Sequence, residues 1–187
     1  MSDQNKVKAE PSIGVEHVEE QLSSADLNDL CDATDAAIES GGGFGWVELP
    51  ARDTLEAYWK GVITAPTRQL FVARLDGVIC GTTQLVLPPK NNEAQGHTVH
   101  LTTNFVTPWA RGYGLAKMLL EEVEKHSVDE GYAVINLDVR ETMEQAIALY
   151  ETMGYEEFGT HPYSVRAKGE TITSKYYYKV INQKFFD

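Results

Sequence analysis

The stretch FVTPWARGYGLAKMLLEEVEKH, residues 105–126, decides how this chain is to be read. A strand-like run over 101–106 meets Pro108 and Trp109, then Arg111-Gly112-Tyr113-Gly114, and an amphipathic helix begins. Glycine bends tightly and lets a bulky group approach the backbone with no Cβ in the way. A helix N-terminus offers unpaired N–H groups and about half a positive charge. The consecutive amides of Arg111, Gly112, Tyr113, Gly114, Leu115 and Ala116 are therefore candidates to cradle a phosphate or pyrophosphate. A tight turn with no ligand is the plainer reading of two glycines taken alone.

Working outward, the neighbouring segments describe a mixed α+β chain. SIGVEHVEE reads as a first strand. Ser23 stands as N-cap of a helix with Leu22 placed to staple onto Leu27, and Leu27, Leu30, Cys31, Thr34 and Ile38 share a face up to a stop at Ser40. A glycine-rich loop over 41–50 carries two aromatics, Phe44 and Trp46, and a short helix is expected over 53–60. QLFVARL-DG-VICGTTQLVL is a hairpin turning at Asp76-Gly77. A third strand follows over 97–106. Beyond the 115–126 helix, apolar residues at 133, 135, 137 and 139 mark a strand, so strand, helix and strand form one parallel crossover. The helix TMEQAIALYETM closes on Gly154, and two strands, 155–163 and 174–181, finish the chain around AKGET. The expected architecture is a mostly antiparallel sheet with one parallel crossover and helices on both faces.

A dinucleotide fingerprint is excluded. Its third glycine position is Lys117, and one crossover cannot supply the two βαβ halves that such a site needs.

Composition narrows the function classes. The chain has 187 residues, 16 basic and 28 acidic side chains and a formal charge of −12. This argues against nucleic acid and suits a cationic substrate as well as plain solubility. No apolar run is long enough to cross a membrane, and MSDQNKVKAEPS lacks the core of a signal peptide. The expectation is a cytoplasmic protein with a disordered tail over 1–11 and a single domain over 12–187. Cys31 and Cys80 stand apart from any CxxC or nearby His, so no metal site is expected.

Two segments together resemble the GNAT superfamily of N-acetyltransferases. NFVTPWARGYGLAKMLLEEVE is similar to its acetyl-coenzyme A signature, a strand ending Val-x-Pro followed by Gln/Arg-x-x-Gly-x-Gly/Ala, and AIALYETMGY is similar to its second motif. They occur in the family's order, and the resemblance covers about residues 12–181. More loosely, the layout resembles small-molecule members such as the tabtoxin-resistance acetyltransferases. Trp109 stands where the family has Gln or Arg, and Met143 where many members have an Asn that touches the pantetheine arm.

The resemblance implies acetyl-CoA as cosubstrate and an amine as acceptor. The arm of the cofactor would lie between the strand ending at Val106 and the strand 133–139, pairing with the Phe105 and Val106 main chain. The Val106 N–H would be the oxyanion donor, and Met143, Ile147 and Tyr150 would meet the cofactor from the last helix. Tyr150 matches the family's thiolate-protonating tyrosine; on its residues alone it reads equally as core beside Ala146, Ile147 and Met153. His100 falls at the position of the family's base, six residues before Val106. Thr102 and Asn104 are expected on the same strand face as His100, and His97 on the opposite one. Glu48, Asn104, His161 and Tyr163 are candidate helpers, and the segments 41–50 and 159–164 would line the acceptor side. The leading expectation is transfer of an acetyl group to a small primary amine; the alternatives are protein or peptide N-acetylation and a non-catalytic acyl-CoA binding module. A weak homodimer is expected from an apolar strand edge in KYYYKVINQKFF.

Overall fold

The computed structural model describes residues 10–41 and 45–187. Of the expected tail, residues 1–9 lie outside the described residues, as does Phe44; Glu10 and Pro11 are exposed and carry no regular structure.

The elements follow the expected order. β1 (Ile13–Val18) leads to α1 (Ser24–Glu39) and α2 (Arg52–Thr64). Three strands come next, β2 (Arg68–Leu75), β3 (Val78–Val86) and β4 (Thr98–Val106). The chain ends with α3 (Leu115–Asp129), β5 (Val134–Arg140), α4 (Glu144–Thr152), β6 (Glu156–Ala167) and β7 (Glu170–Val180). One seven-stranded sheet runs β1-β2-β3-β4-β5-β7-β6. Among the described strands only β4 and β5 are parallel neighbours, because α3 carries the chain back across the sheet between them.

Local chemistry sets most boundaries. Ser23 caps α1, its Oγ accepting from the Asp26 N–H at 3.1 Å, and Leu22 and Leu27 pack against the same core cluster. The Asp76-Gly77 turn has φ +51° and +85°, the pair of positive values that a two-residue hairpin turn needs to match strand twist. Three elements are longer than expected. α2 continues through Gly61 to Thr64 because Trp59 and Val62 keep its apolar face buried. β6 and β7 run to the Lys168-Gly169 turn, pairing Ala167 with Glu170.

Each face of the sheet has its own core. α1 and α2 bury Leu30, Leu55, Trp59 and Val62 with Leu70, Val72 and Ile79 of the sheet. Within that layer the Trp59 Nε1–H donates to Thr34 Oγ1 at 3.1 Å. On the other face α3 and α4 cover Val99, Leu101, Ile135, Leu137 and Tyr177. The expected open edge in KYYYKV is corrected here: β7 lies between β5 and β6, with Tyr177 fully buried. The edges of the sheet are β1 and β6. None of the described helices is long and apolar enough to cross a membrane.

Candidate active site

The site begins where the sheet comes apart. β4 pairs β5 only from Thr98/Val134 to Leu101/Leu137. One residue beyond Thr102 the backbone of β4 bulges: Thr103 has φ +54°, and the pairing with β3 slips between Thr82 and Gln84. An extra residue bends its strand and reverses which residues face which side. Leu101 accordingly packs on the α3 side and Phe105 on the α1/α2 side, although both are odd-numbered. The expectation that Asn104 shares a face with His100 and Thr102 fails for this reason. Asn104 turns to the α4 side and donates from Nδ2 to the Tyr150 phenol oxygen at 3.0 Å.

The bulge also aims one amide. The Phe105 carbonyl faces β3, where a Cβ on Gly81 would stand 2.9 Å from it. In a trans peptide the following N–H points the opposite way, so the Val106 N–H is directed toward the opening beside β5. The Thr107 N–H returns to β3, donating to the Cys80 carbonyl at 2.8 Å.

At the end of β4 the glycine turn opens α3. Gly112 and Gly114 have φ +89° and +77°, and a Cβ on either would meet nothing within 4 Å, so open space lies over the turn. Gly114 is the N-cap and brings no side-chain bond to the first amides; intrahelical pairing across it starts with the Met118 N–H on the Gly114 carbonyl at 3.0 Å. The amides of Leu115, Ala116 and Lys117 are thus the free donors of a helix start. Such a cradle fits a pyrophosphate. The Leu115 side chain itself is core and Tyr113 is exposed.

Two cavities meet at this opening. One, of about 150 Å³, is walled by Phe105, Val106, Arg111, Ala116 and Met143, with Gln145, Ala146 and Leu149 from α4. Ile147 packs against the core and lies on neither cavity wall. The other, of about 260 Å³, runs past Thr102, Asn104, Asp138 and Arg140 to Tyr150. Gly45 lines it too, placing one residue of the 41–50 loop over the second cavity. Trp46 anchors that loop by packing edge-on against Tyr58 at 5.0 Å. Val165 reaches the cavity one residue beyond the expected segment 159–164.

Tyr150 is buried, 4% exposed, at the floor of the larger cavity. Burial raises its phenol above the ordinary tyrosine range, the Asn104 N–H works against that rise, and the negative charge of Asp138 adds to it. The phenol is therefore a proton holder at neutral pH. His100 lines neither cavity but a separate one walled by Pro88, Asn92 and Asn136. It reaches the larger cavity only through Asp138, whose Oδ1 lies 3.2 Å from His100 Nε2 and which lines that cavity itself. His97 stacks on Phe185 at 4.9 Å, away from His100. Glu48 and His161 are exposed and line neither cavity; the His161 Nδ1 accepts from the Tyr163 N–H at 3.1 Å. Sequence reasoning missed Asp138 and Gly81. Asp138 carried a signal, a carboxylate among the solvent-side positions of an alternating strand; Gly81 carried none, since its reason lies across the sheet.

Comparison with known proteins agrees with this geometry. A family model described as Acetyltransferase (GNAT) family matches residues 33–155. An uncharacterised N-acetyltransferase of Azospirillum brasilense is 60% identical over 121 residues, 65% of this chain and 72% of that protein. An N-acetyltransferase structure from Staphylococcus aureus Mu50 superposes with a TM-score of 0.77 at 17% identity, over 91% of this chain and 99% of that one. A Salmonella typhimurium protein solved with its cofactor acetyl-CoA gives 0.74 at 15% identity, over 91% and 95%. The chain belongs to the GNAT acetyltransferase family. It is an acetyl-CoA-dependent N-acetyltransferase.

Proposed function

We propose that the acceptor is the primary amine of a small cationic molecule, bound in the cavity between β4 and β5. The observation that carries this reading is the place of one carboxylate: Asp138 lines a cavity of about 260 Å³ with Tyr150 at its floor, and Arg140 stands on the same lining. That volume suits a small molecule, and the carboxylate suits an ammonium. The surrounding charge of −12 favours the same ligand over long range.

Each residue then has a task. The amides at the start of α3, with Arg111 beside them, hold the pyrophosphate. Acetyl-CoA supplies the activated acetyl group and a thiolate leaving group. The Val106 N–H meets the charge that develops on the reacting carbonyl oxygen, where a fixed donor in a water-poor site counts most. Asp138 receives the ammonium, and His100, paired with that carboxylate, draws off the proton so that a lone pair is exposed. Tyr150 delivers a proton to the departing sulfur.

Thiol release from acetyl-CoA over a panel of primary amines tests the reading, with lysine-containing and free-N-terminus peptides as a second arm. Saturable turnover on small amines is expected. Turnover on peptides alone would assign the chain to protein acetylation, and coenzyme A binding without turnover on either arm would make it a binding module.

A further inference from the structure

The two cavities share three residues, Asn104, Met143 and Ala146, and of these Asn104 is the polar one. It donates from Nδ2 to the Tyr150 oxygen at 3.0 Å, while its own Oδ1 is buried without a partner among the described residues. Buried side-chain oxygens are seldom left open in a folded protein. An amide with one hand on Tyr150 and the other free at the junction has the layout of a part that works with a ligand.

We propose that Asn104 is a positioning residue for Tyr150: it turns the phenol so that its proton faces the junction of the cavities, and it holds the oxygen after that proton has left. The inference rests on the reading of Tyr150 as proton donor. Among the described residues Asn104 is the hydrogen-bond partner that Tyr150 Oη has, and it acts as donor, so the phenol's own proton is uncommitted. The backbone goes out of its way to make the bond. Without the bulge at Thr103, Asn104 would lie on the α1/α2 side with His100 and out of reach of α4.

Charge balance gives the bond its purpose. When the proton passes from Tyr150 Oη to the departing sulfur, an O–H bond breaks, an S–H bond forms and a phenolate remains. The groups around that oxygen are the Tyr155 ring and, further off, the Tyr177 ring, the Asp138 carboxylate from β5 and Arg140 on the cavity wall. Burial and Asp138 both oppose the anion, while the Asn104 N–H favours it. A phenol that could not tolerate losing its proton would be a poor donor to a thiolate.

The test reads the ionisation directly and needs no acceptor. 3,5-Difluorotyrosine placed at position 150 gives a more acidic phenol whose titration is followed by fluorine NMR in the coenzyme A-saturated protein. Removing the donor in Asn104→Leu should raise that ionisation by about one to two pH units, the worth of a hydrogen bond to a charged group. Saturation with coenzyme A is confirmed for each variant by calorimetry, because Asn104 also lines the smaller cavity. If Asn104→Leu does not fold, Asn104→Ala carries the same test with a smaller rise, since water can enter. An unmoved ionisation in a folded variant overturns the proposal, even where Tyr150→Phe slows thiol release. Full thiol release by Tyr150→Phe overturns the proton-donor reading itself, and this proposal with it.

Discussion

A Cβ on Gly81 would lie 2.9 Å from the Phe105 carbonyl oxygen and 3.0 Å from Val106 Cγ2. Gly81 is needed for this close approach between strands, since its own φ lies outside the left-handed region. The peptide it admits is the one whose N–H, on Val106, faces the reacting group in the proposed mechanism. Gly81→Ala is expected to push that peptide aside and lower turnover at saturating acetyl-CoA. Overpacking of this kind costs about 1–3 kcal/mol, so a lower melting temperature should accompany the loss. Wild-type turnover in Gly81→Ala would show that the amide's position is not critical.

Gly112 lies in open space at φ +89°, so Gly112→Val meets no clash. It does meet backbone strain, about 1–2 kcal/mol for a residue forced left-handed, and its side chain would stand where the pyrophosphate is held. Calorimetry with coenzyme A should show affinity falling by about tenfold to a hundredfold, as expected for one lost charge-assisted hydrogen bond. Unchanged affinity would move the anion site elsewhere.

Tyr150→Phe removes the proton and leaves the Asn104 N–H facing an apolar ring. Turnover should drop by about 10² to 10⁴, the usual worth of general acid catalysis, with the KM for acetyl-CoA nearly intact because the proton matters in the transition state. A variant that only melts earlier would mark Tyr150 as a core residue.

His100 and Asp138 should act as a pair. With acetyl-CoA saturating and amine limiting, His100→Gln should lower the rate and leave coenzyme A affinity alone. Asp138→Asn should weaken acceptor binding as well, since its carboxylate lines the cavity. A rate unaltered in His100→Gln would mean that the amine loses its proton to water.

Away from the site, His17 of β1 lies 4.4 Å from His126 of α3, and Phe71 stacks on His17 at 4.8 Å. Burial lowers the His17 pKa and the positive charge of His126 lowers it further, while Glu19 and Glu130 work in the opposite sense. A depressed folded-state pKa means that the unfolded chain binds the proton more tightly. His17 should therefore cost stability as pH falls below the ordinary histidine value of about 6.5 and cost none above it. Melting temperatures recorded from pH 7.5 down to 5 should fall less steeply in His17→Phe than in the parent protein. Equal slopes would refute the assignment.

The sequence by itself determined the elements and their order. Ser23 as cap, Asp76-Gly77 as hairpin turn, Gly154 after α4 and the alternation through 133–139 are signals written within a few residues. Backbone hydrogen bonding and φ are local properties, so local chemistry settles them. The glycine turn at 112–114 was legible for the same reason, and the paired motifs carried the family. Tertiary structure alone decided the rest. Whether Asn104 faces His100 or Tyr150 depends on the bulge at Thr103, which arises from how β4 pairs with β3. The reason for Gly81 lies on β4, the importance of Asp138 lies in the splay of β4 from β5, and β7 is interior only because β6 returns to cover it. These are distances between segments far apart in the chain, fixed by sheet register and packing, and no short stretch of sequence contains both ends of such a contact.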